Sequence, residues 1–155
     1  MRTLFLSLLL VTGIVAYGQN NAPVQVNLKN GESFNAKHFG QLKCGTNSFV
    51  DNYILIRGKY LGAVTEIIDY TDVEKIVFSG YSADPAPSVG NEKATVIIYK
   101  KNGVSVELTD TEVVMSCYGV GDLYNQIILQ IENPLTGKVA EKAVATKDLK
   151  SVVFR

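Results

Sequence analysis

The sequence predicts an all-β protein written out twice in succession. Three observations carry that prediction. An extended apolar run meets Asn-Gly and resumes at two places, Val26-Asn27-Leu28-Lys29-Asn30-Gly31-Glu32-Ser33 and Ile97-Ile98-Tyr99-Lys100-Lys101-Asn102-Gly103-Val104. Two later stretches, Asp72-Val73-Glu74-Lys75-Ile76-Val77-Phe78 and Asp148-Leu149-Lys150-Ser151-Val152-Val153-Phe154, match as Asp, apolar, two polar, two apolar, Phe. The two cysteines, Cys44 and Cys117, each stand ten residues before an isoleucine of an apolar run, Ile54 and Ile127. The spacings between the copies are 72, 76 and 73 residues, so the landmarks keep their order and the slippage falls in loops. That is the signature of an internal duplication.

Within the first copy, Val24, Val26 and Leu28 alternate with polar residues, the period of a half-buried strand. Asn-Gly suits the two positive φ angles of a type I′ hairpin turn, so a second strand follows at Phe34 and Ala36. A third, or a bent continuation of the second, is expected between Phe39 and Cys44. Tyr53 to Ile56 is a strongly apolar strand. Arg57 to Gly62 reads as a glycine-bracketed loop, and Val64 to Tyr70 as another strand. Asp72 is expected to cap one helical turn before a last strand at Lys75–Phe78. Residues 79–92, with Pro85, Pro87, Gly80 and Gly90 among small polar residues, read as a linker. The second copy repeats the order. It has strands at Thr95–Lys101, Val104–Leu108, Glu112–Tyr118, Ile127–Ile131 and Val139–Thr146, with Asn133-Pro134-Leu135-Thr136-Gly137 as a proline-containing turn and a last strand after Asp148. The domain plan is therefore 1–18 as a leader, 19–78 as the first repeat, 79–92 as linker and 93–155 as the second repeat.

The leader reads as a cleaved export signal. Arg2 gives the positive start, Leu4 to Val11 the apolar stretch, and Ala16-Tyr17-Gly18 the small residues read at a cut before Gln19. The apolar run is short for a bilayer and breaks at Thr12-Gly13. No cysteine stands near the cut for lipid attachment. A secreted or periplasmic protein is expected, with no membrane span after cleavage. Fifteen basic residues balance fifteen acidic ones in the whole chain, so its net field draws neither nucleic acid nor an anionic membrane.

The pattern Val-x-Leu-Lys-Asn-Gly, an apolar strand, and a terminal Asp-apolar-x-x-apolar-x-Phe resembles the SH3-like and Sm-like small β-barrels. It also resembles small secreted β proteins of Gram-negative bacteria that carry such units. The resemblance implies two tandem five-stranded barrels. One alone would barely supply a core, so the two are expected to dock and share one, with two independent beads on the proline-containing linker as the alternative. Sm-like proteins bind RNA through a loop Asp and Asn and a later Arg-Gly. Here Arg57-Gly58 follows a middle strand instead of preceding the last one, and a near-neutral exported chain is poorly suited to RNA, so no nucleic-acid partner is expected.

The residues for catalysis are scarce. One histidine, His38, and two separated cysteines assemble no zinc or haem ligand set at normal spacing. There is no Gly-x-Ser-x-Gly elbow and no phosphate-binding glycine loop before a helix. Asp72 and Asp148 match in position, but the Asp-Thr-Gly or Asp-Ser-Gly of aspartic proteases is missing, and a capping role accounts for both. No cofactor and no metal are expected, and the chain is not read as an enzyme.

Two features remain as candidates. Cys44 and Cys117 sit at matching positions in an exported chain. A bridge between them would close a loop worth about 4 kcal/mol in the chain-entropy account; two buried free thiols are the alternative. Tyr60, Tyr81, Tyr118 and Tyr124 lie in or beside predicted loops and form a candidate binding surface. The expected function is a non-catalytic binding or adaptor protein whose partner is a protein, peptide or glycan of the cell envelope. A structural or assembly component of the envelope is the alternative, and a carboxylate-based glycan hydrolase stands behind both.

Overall fold

The computed structural model describes residues 23–42, 52–82, 93–117, 121–123 and 126–155. The leader, Cys44, Tyr118 and Tyr124 lie outside them. Among the described residues the chain is all-β, with twelve strands and one 3-10 turn at Thr146–Asp148. The strands are β1 (Val24–Leu28), β2 (Ser33–Ala36), β3 (Gln41–Leu42), β4 (Asn52–Tyr60), β5 (Ala63–Ile67) and β6 (Val73–Ser82). They continue as β7 (Lys93–Lys100), β8 (Ser105–Cys117), β9 (Gly121–Leu123), β10 (Gln126–Glu132), β11 (Val139–Ala145) and β12 (Leu149–Phe154). Among the described residues no helix is long and apolar enough to cross a membrane.

The ladder runs β2-β1-β12-β6-β7-β8-β4-β3, with β5 also on β4 and β9 on β8, while β10 and β11 form a separate pair. The sheets are not closed into barrels, so the expected pair of closed five-stranded barrels is not what the described ladder forms. The strands instead alternate between the two parts of the chain. The last strand, β12, lies between β1 and β6, and β4 pairs with β8. β10 reaches β2 through the Lys37 N–H, which donates to the Gln130 carbonyl at 2.9 Å.

Two pairings follow similar registers. Val24, Gln25, Val26 and Asn27 face Phe154, Val153, Val152 and Ser151, with a bulge before Leu28 meets Leu149. Val96, Ile97, Ile98 and Tyr99 face Phe78, Val77, Ile76 and Lys75, with a bulge before Lys100 meets Val73. In the middle, β12 and β6 pair through Val152 and Ile76. The Lys29 N–H donates to the Asp148 carbonyl at 2.9 Å, and the Lys101 N–H to the Asp72 carbonyl at 2.8 Å. These aspartates therefore receive the chain through their main-chain oxygens and are not caps. The N-cap of the 3-10 turn is Ala145, which makes no side-chain cap bond, and the aspartate that bonds the turn near Asp72 is Asp69. Its carboxylate accepts from the Thr71 N–H at 2.9 Å and the Thr71 hydroxyl at 2.6 Å.

Both Asn-Gly sites are hairpins, but not of the expected turn type. Leu28 N–H donates to the Glu32 carbonyl and Lys100 N–H to the Val104 carbonyl, each at 2.8 Å, which makes three-residue loops. Only the glycines are left-handed, at φ +90 for Gly31 and +83 for Gly103. The asparagine side chains accept from the Glu32 and Val104 N–H groups and hold the loop in this alternative form. The Asn133–Gly137 turn follows expectation, with the Asn133 carboxamide accepting from Leu135 and Thr136.

Four boundaries differ from the sequence pattern. β5 stops at Ile67, where a strand to Tyr70 was expected. β4 continues through Arg57-Gly58-Lys59 to Tyr60, where a loop was expected. β8 is one strand of thirteen residues, bent where Asp110 takes φ +50 beside the register shift opposite Ala94 and Val96. β6 runs on to Ser82, into the stretch read as linker.

A single buried cluster draws on both parts of the chain, including Val26, Ile54, Ile56 and Ile76 as well as Ile98, Leu108, Ile127, Leu129 and Val152. At its centre Phe39 and Phe154 meet Tyr70, with ring centroids 5.3 and 5.7 Å from the tyrosine ring. The Tyr70 hydroxyl donates to the Ile54 carbonyl at 2.8 Å, with the Ile67 carbonyl at 3.1 Å. Burial pushes the phenol far above the ordinary tyrosine range, so it acts only as a neutral donor. Gly58 lets β4 lie close on β8, because a Cβ there would stand 2.6 Å from the Thr111 hydroxyl and 3.0 Å from Leu108 Cβ. Thr111 is buried and cannot swing its hydroxyl away without breaking its bond to the Leu108 carbonyl.

Two stability outcomes follow. Gly58→Ala lowers the unfolding free energy by about 1–3 kcal/mol, the cost of forcing a methyl into a packed seam. Tyr70→Phe lowers it by about 1–2 kcal/mol, because the carbonyl it serves stays buried without its donor. Urea unfolding of each variant, with the m-value unchanged, measures both.

Candidate functional site

The β4–β5 hairpin carries the most unusual exposed feature of the fold. Its strands pair Tyr60 with Ala63 and Lys59 with Val64, so only Leu61 and Gly62 remain to make the turn. A two-residue turn of this kind requires left-handed φ at both positions. Gly62 adopts φ +84 without penalty, but Leu61 is held at φ +50, where its Cβ crowds the following carbonyl. Its side chain gains no burial in exchange, since Leu61 is 90% exposed. Tyr60 and Val64 flank the tip, and both are exposed, as is Ile68 beyond the end of β5. Strand alternation sends Tyr60 and Val64 to opposite faces, so the tip is apolar on both sides. Arg57 and Glu66 pair at 2.7 Å across the base of the hairpin and fix its two strands in register.

The β10–β11 hairpin ends in a similar way. Leu135 is 92% exposed at its tip, with Val139 exposed at the start of the return strand. Here the longer loop carries the leucine without a positive φ, and Gly137 takes the left-handed position instead.

Of the residues singled out from the sequence, Tyr60 is at this site. Tyr81 is the next-to-last residue of β6, its backbone opposite Ala94, and is not in a loop. Tyr118 and Tyr124 fall outside the described residues. The candidate Cys44–Cys117 bridge shares that position, because Cys44 is outside them and only the backbone of Cys117, the last residue of β8, is described. Leu61, Val64 and Leu135 were not singled out. The available signal was an apolar residue directly beside a turn-forming glycine or proline, where a polar one is the norm.

A concavity of ≈490 Å³ opens where β2 and β10 meet, with Asn35, Lys37, His38, Gln130 and Glu132 among its lining. Lys37 and Glu132 form an ion pair at 3.3 Å. His38 is half-buried, and desolvation together with the neighbouring Lys37 ammonium holds its pKa below the ordinary histidine value. It is therefore a neutral imidazole near pH 7. Among the described residues no group of three or more His, Cys, Asp or Glu side chains is placed to hold a metal ion. Comparison with protein families, with curated proteins and with solved structures found no match to this chain.

The strained tip predicts a gain on simplification. Leu61→Gly raises stability by about 0.5–1 kcal/mol, since glycine accepts the left-handed turn and no buried contact is lost. A lower denaturation midpoint for the variant would contradict this. The histidine predicts a pH effect. Its folded pKa is depressed, so the unfolded chain binds the proton more readily, and stability falls as the pH drops below 6.5. His38→Gln removes that component, and thermal unfolding at pH 7.5 and 5.5 shows a smaller difference for the variant than for the parent chain.

Proposed function

We propose that this chain is an exported, non-catalytic binding or adaptor protein that engages a protein, peptide or glycan of the cell envelope through the β4–β5 hairpin. The observation that supports it most directly is Leu61, an exposed leucine kept in a backbone conformation that costs free energy and adds nothing to the core. Strain of that kind persists where a contact outside the fold makes use of it. The exposed Tyr60 beside it is the sort of rigid amphipathic side chain that anchors interfaces. Export rests on the Arg2, Leu4–Val11 and Ala16-Tyr17-Gly18 pattern.

The same proposal takes the chain as a duplication of one small unit of the SH3-like or Sm-like kind, in which each copy gives its last strand to the other. Its support is the recurrence of one register and one set of main-chain bonds at corresponding residues of the two parts.

The test places a photo-crosslinking amino acid at Tyr60 in the full-length chain, expressed in exporting Gram-negative cells, with Glu107 as an exposed control on β8. A discrete adduct from position 60, lost when Leu61→Gly is added and absent from position 107, is the expected result. Adducts from both positions, or from neither, overturn the hairpin reading. One observation favours an assembly component as a second reading: among the described residues β5 pairs only with β4, so its other edge is open. A constant mass in analytical ultracentrifugation across a hundredfold range of concentration would remove that alternative.

A further inference from the structure

Among the described residues three ion pairs cross between the two parts of the chain. Lys37 Nζ stands 3.3 Å from Glu132 Oε2, and Lys59 Nζ stands 2.8 Å from Asp110 Oδ2. Lys142 pairs with Glu32 and lies 4.6 Å over the centre of the Phe34 ring. Their positions correspond in an unexpected way. Lys37 and Asp110 are 73 residues apart, and so are Lys59 and Glu132. If the chain is two copies of one unit, these two pairs join the same two sites, and the charges are reversed. The third pair has apolar counterparts on both sides. Lys142 faces Leu129 across its hairpin as Ile67 faces Ile56 across the other. Glu32 follows its Asn-Gly turn as Val104 follows the second.

We infer that the rim of the seam is charge-coded, so that each half of the chain accepts the other half and rejects a copy of itself. The inference rests on the duplication reading proposed above. The assembly it excludes is concrete: two chains that exchange strands so that first half meets first half and second half meets second half. In the first of these Lys37 would meet Lys59, and Glu32 would meet Ile67. In the second Asp110 would meet Glu132, and Lys142 would meet Val104. Every cross-seam ion pair is lost, and two become like-charge contacts. The middle of the ladder makes no such distinction. Val26 against Val152 and Ile98 against Ile76 are interchangeable apolar pairs, and the Lys29–Asp148 and Lys101–Asp72 main-chain bonds are the same bond twice. A ladder that fits either arrangement leaves the choice to the contacts around it, the rim charges beside the close Gly58–Thr111 approach. Exposed ion pairs contribute little to the stability of one state, but they discriminate between two states that differ in little else.

The experiment exchanges one pair. Lys37→Glu with Glu132→Lys keeps an ion pair within the chain. In the like-half assembly, however, the carboxylate at position 37 would meet Lys59, and the ammonium at position 132 would meet Asp110, so both repulsions become attractions. Equal amounts of ¹⁴N- and ¹⁵N-labelled full-length chain are unfolded, refolded together at high concentration, separated by size and cross-linked. Peptides of mixed isotope content then report which halves meet between chains. The double variant is expected to unfold at the parent's denaturant midpoint and to give roughly ten times more dimer joined through like halves. Lys59→Asp with Asp110→Lys, at the other end of the seam, must do the same, and it stands in if the first variant does not fold. Like-half dimers in equal yield from parent and variants overturn the charge code but leave the halves interchangeable. Like-half contacts absent from parent and variants alike overturn the code and the duplication reading together.

Discussion

The placement of β12 is the constraint on which the rest of the sheet depends. It is the only described strand that pairs with β1 on one side and β6 on the other, and it brings Val152 against Val26 and Ile76 at the middle of the ladder. Through it the amino-terminal hairpin joins the long run from β6 to β4. Its face supplies Leu149, Val152 and Phe154 to the core, and Phe154 packs edge-on against Phe39 and stacks with Tyr70. Its one buried polar side chain, Ser151, is satisfied from the neighbouring strand by the Asn27 carboxamide at 3.0 Å. Nothing in this arrangement leaves a half of the chain with a core of its own.

Around that interior the structure separates two kinds of surface. The seam between halves carries paired charges and a half-buried histidine beside them. The hairpin tips carry exposed leucines, one of them under backbone strain. The first kind answers questions of assembly, and the second answers questions of contact with other molecules. The cleft between β2 and β10 holds the Lys37–Glu132 ion pair and His38. The physical case for a binding protein is therefore a case about Leu61 and its neighbours and not about a pocket.

Much of the local structure was legible in the sequence, because local structure has local causes. The alternation of Val24, Val26 and Leu28 located β1, and Asn-Gly located both hairpins. The turn type was not legible, since the asparagine side chains accept backbone N–H groups and stabilise a longer loop than the dipeptide alone suggests. Arg57 to Tyr60 looked like a loop because its glycine was read as punctuation. The glycine is instead required by the distance between β4 and Thr111, which belongs to another part of the chain. Asp72 and Asp148 looked like caps for the same reason: their role is fulfilled by carbonyl groups and by partners 29 and 119 residues away. The interleaving of early and late strands in the ladder has no local signature at all, because a strand shows the same alternation whichever neighbour it pairs with. At the candidate site, Tyr60 was found by its chemistry, while Leu61 was missed because exposure at a turn is a property of the folded backbone.

The partnership of Val24 with Phe154 has a temporal side. These residues are 130 positions apart, so β1 leaves the ribosome long before its sheet neighbour β12 is synthesised. Until β12 is made, β1 and β6 have bare edges with nothing to lie between them. Formation of the central ladder then waits for β12, and a loop closure of this length makes that event slow. A polypeptide arranged in this manner keeps its central ladder open through most of its own synthesis.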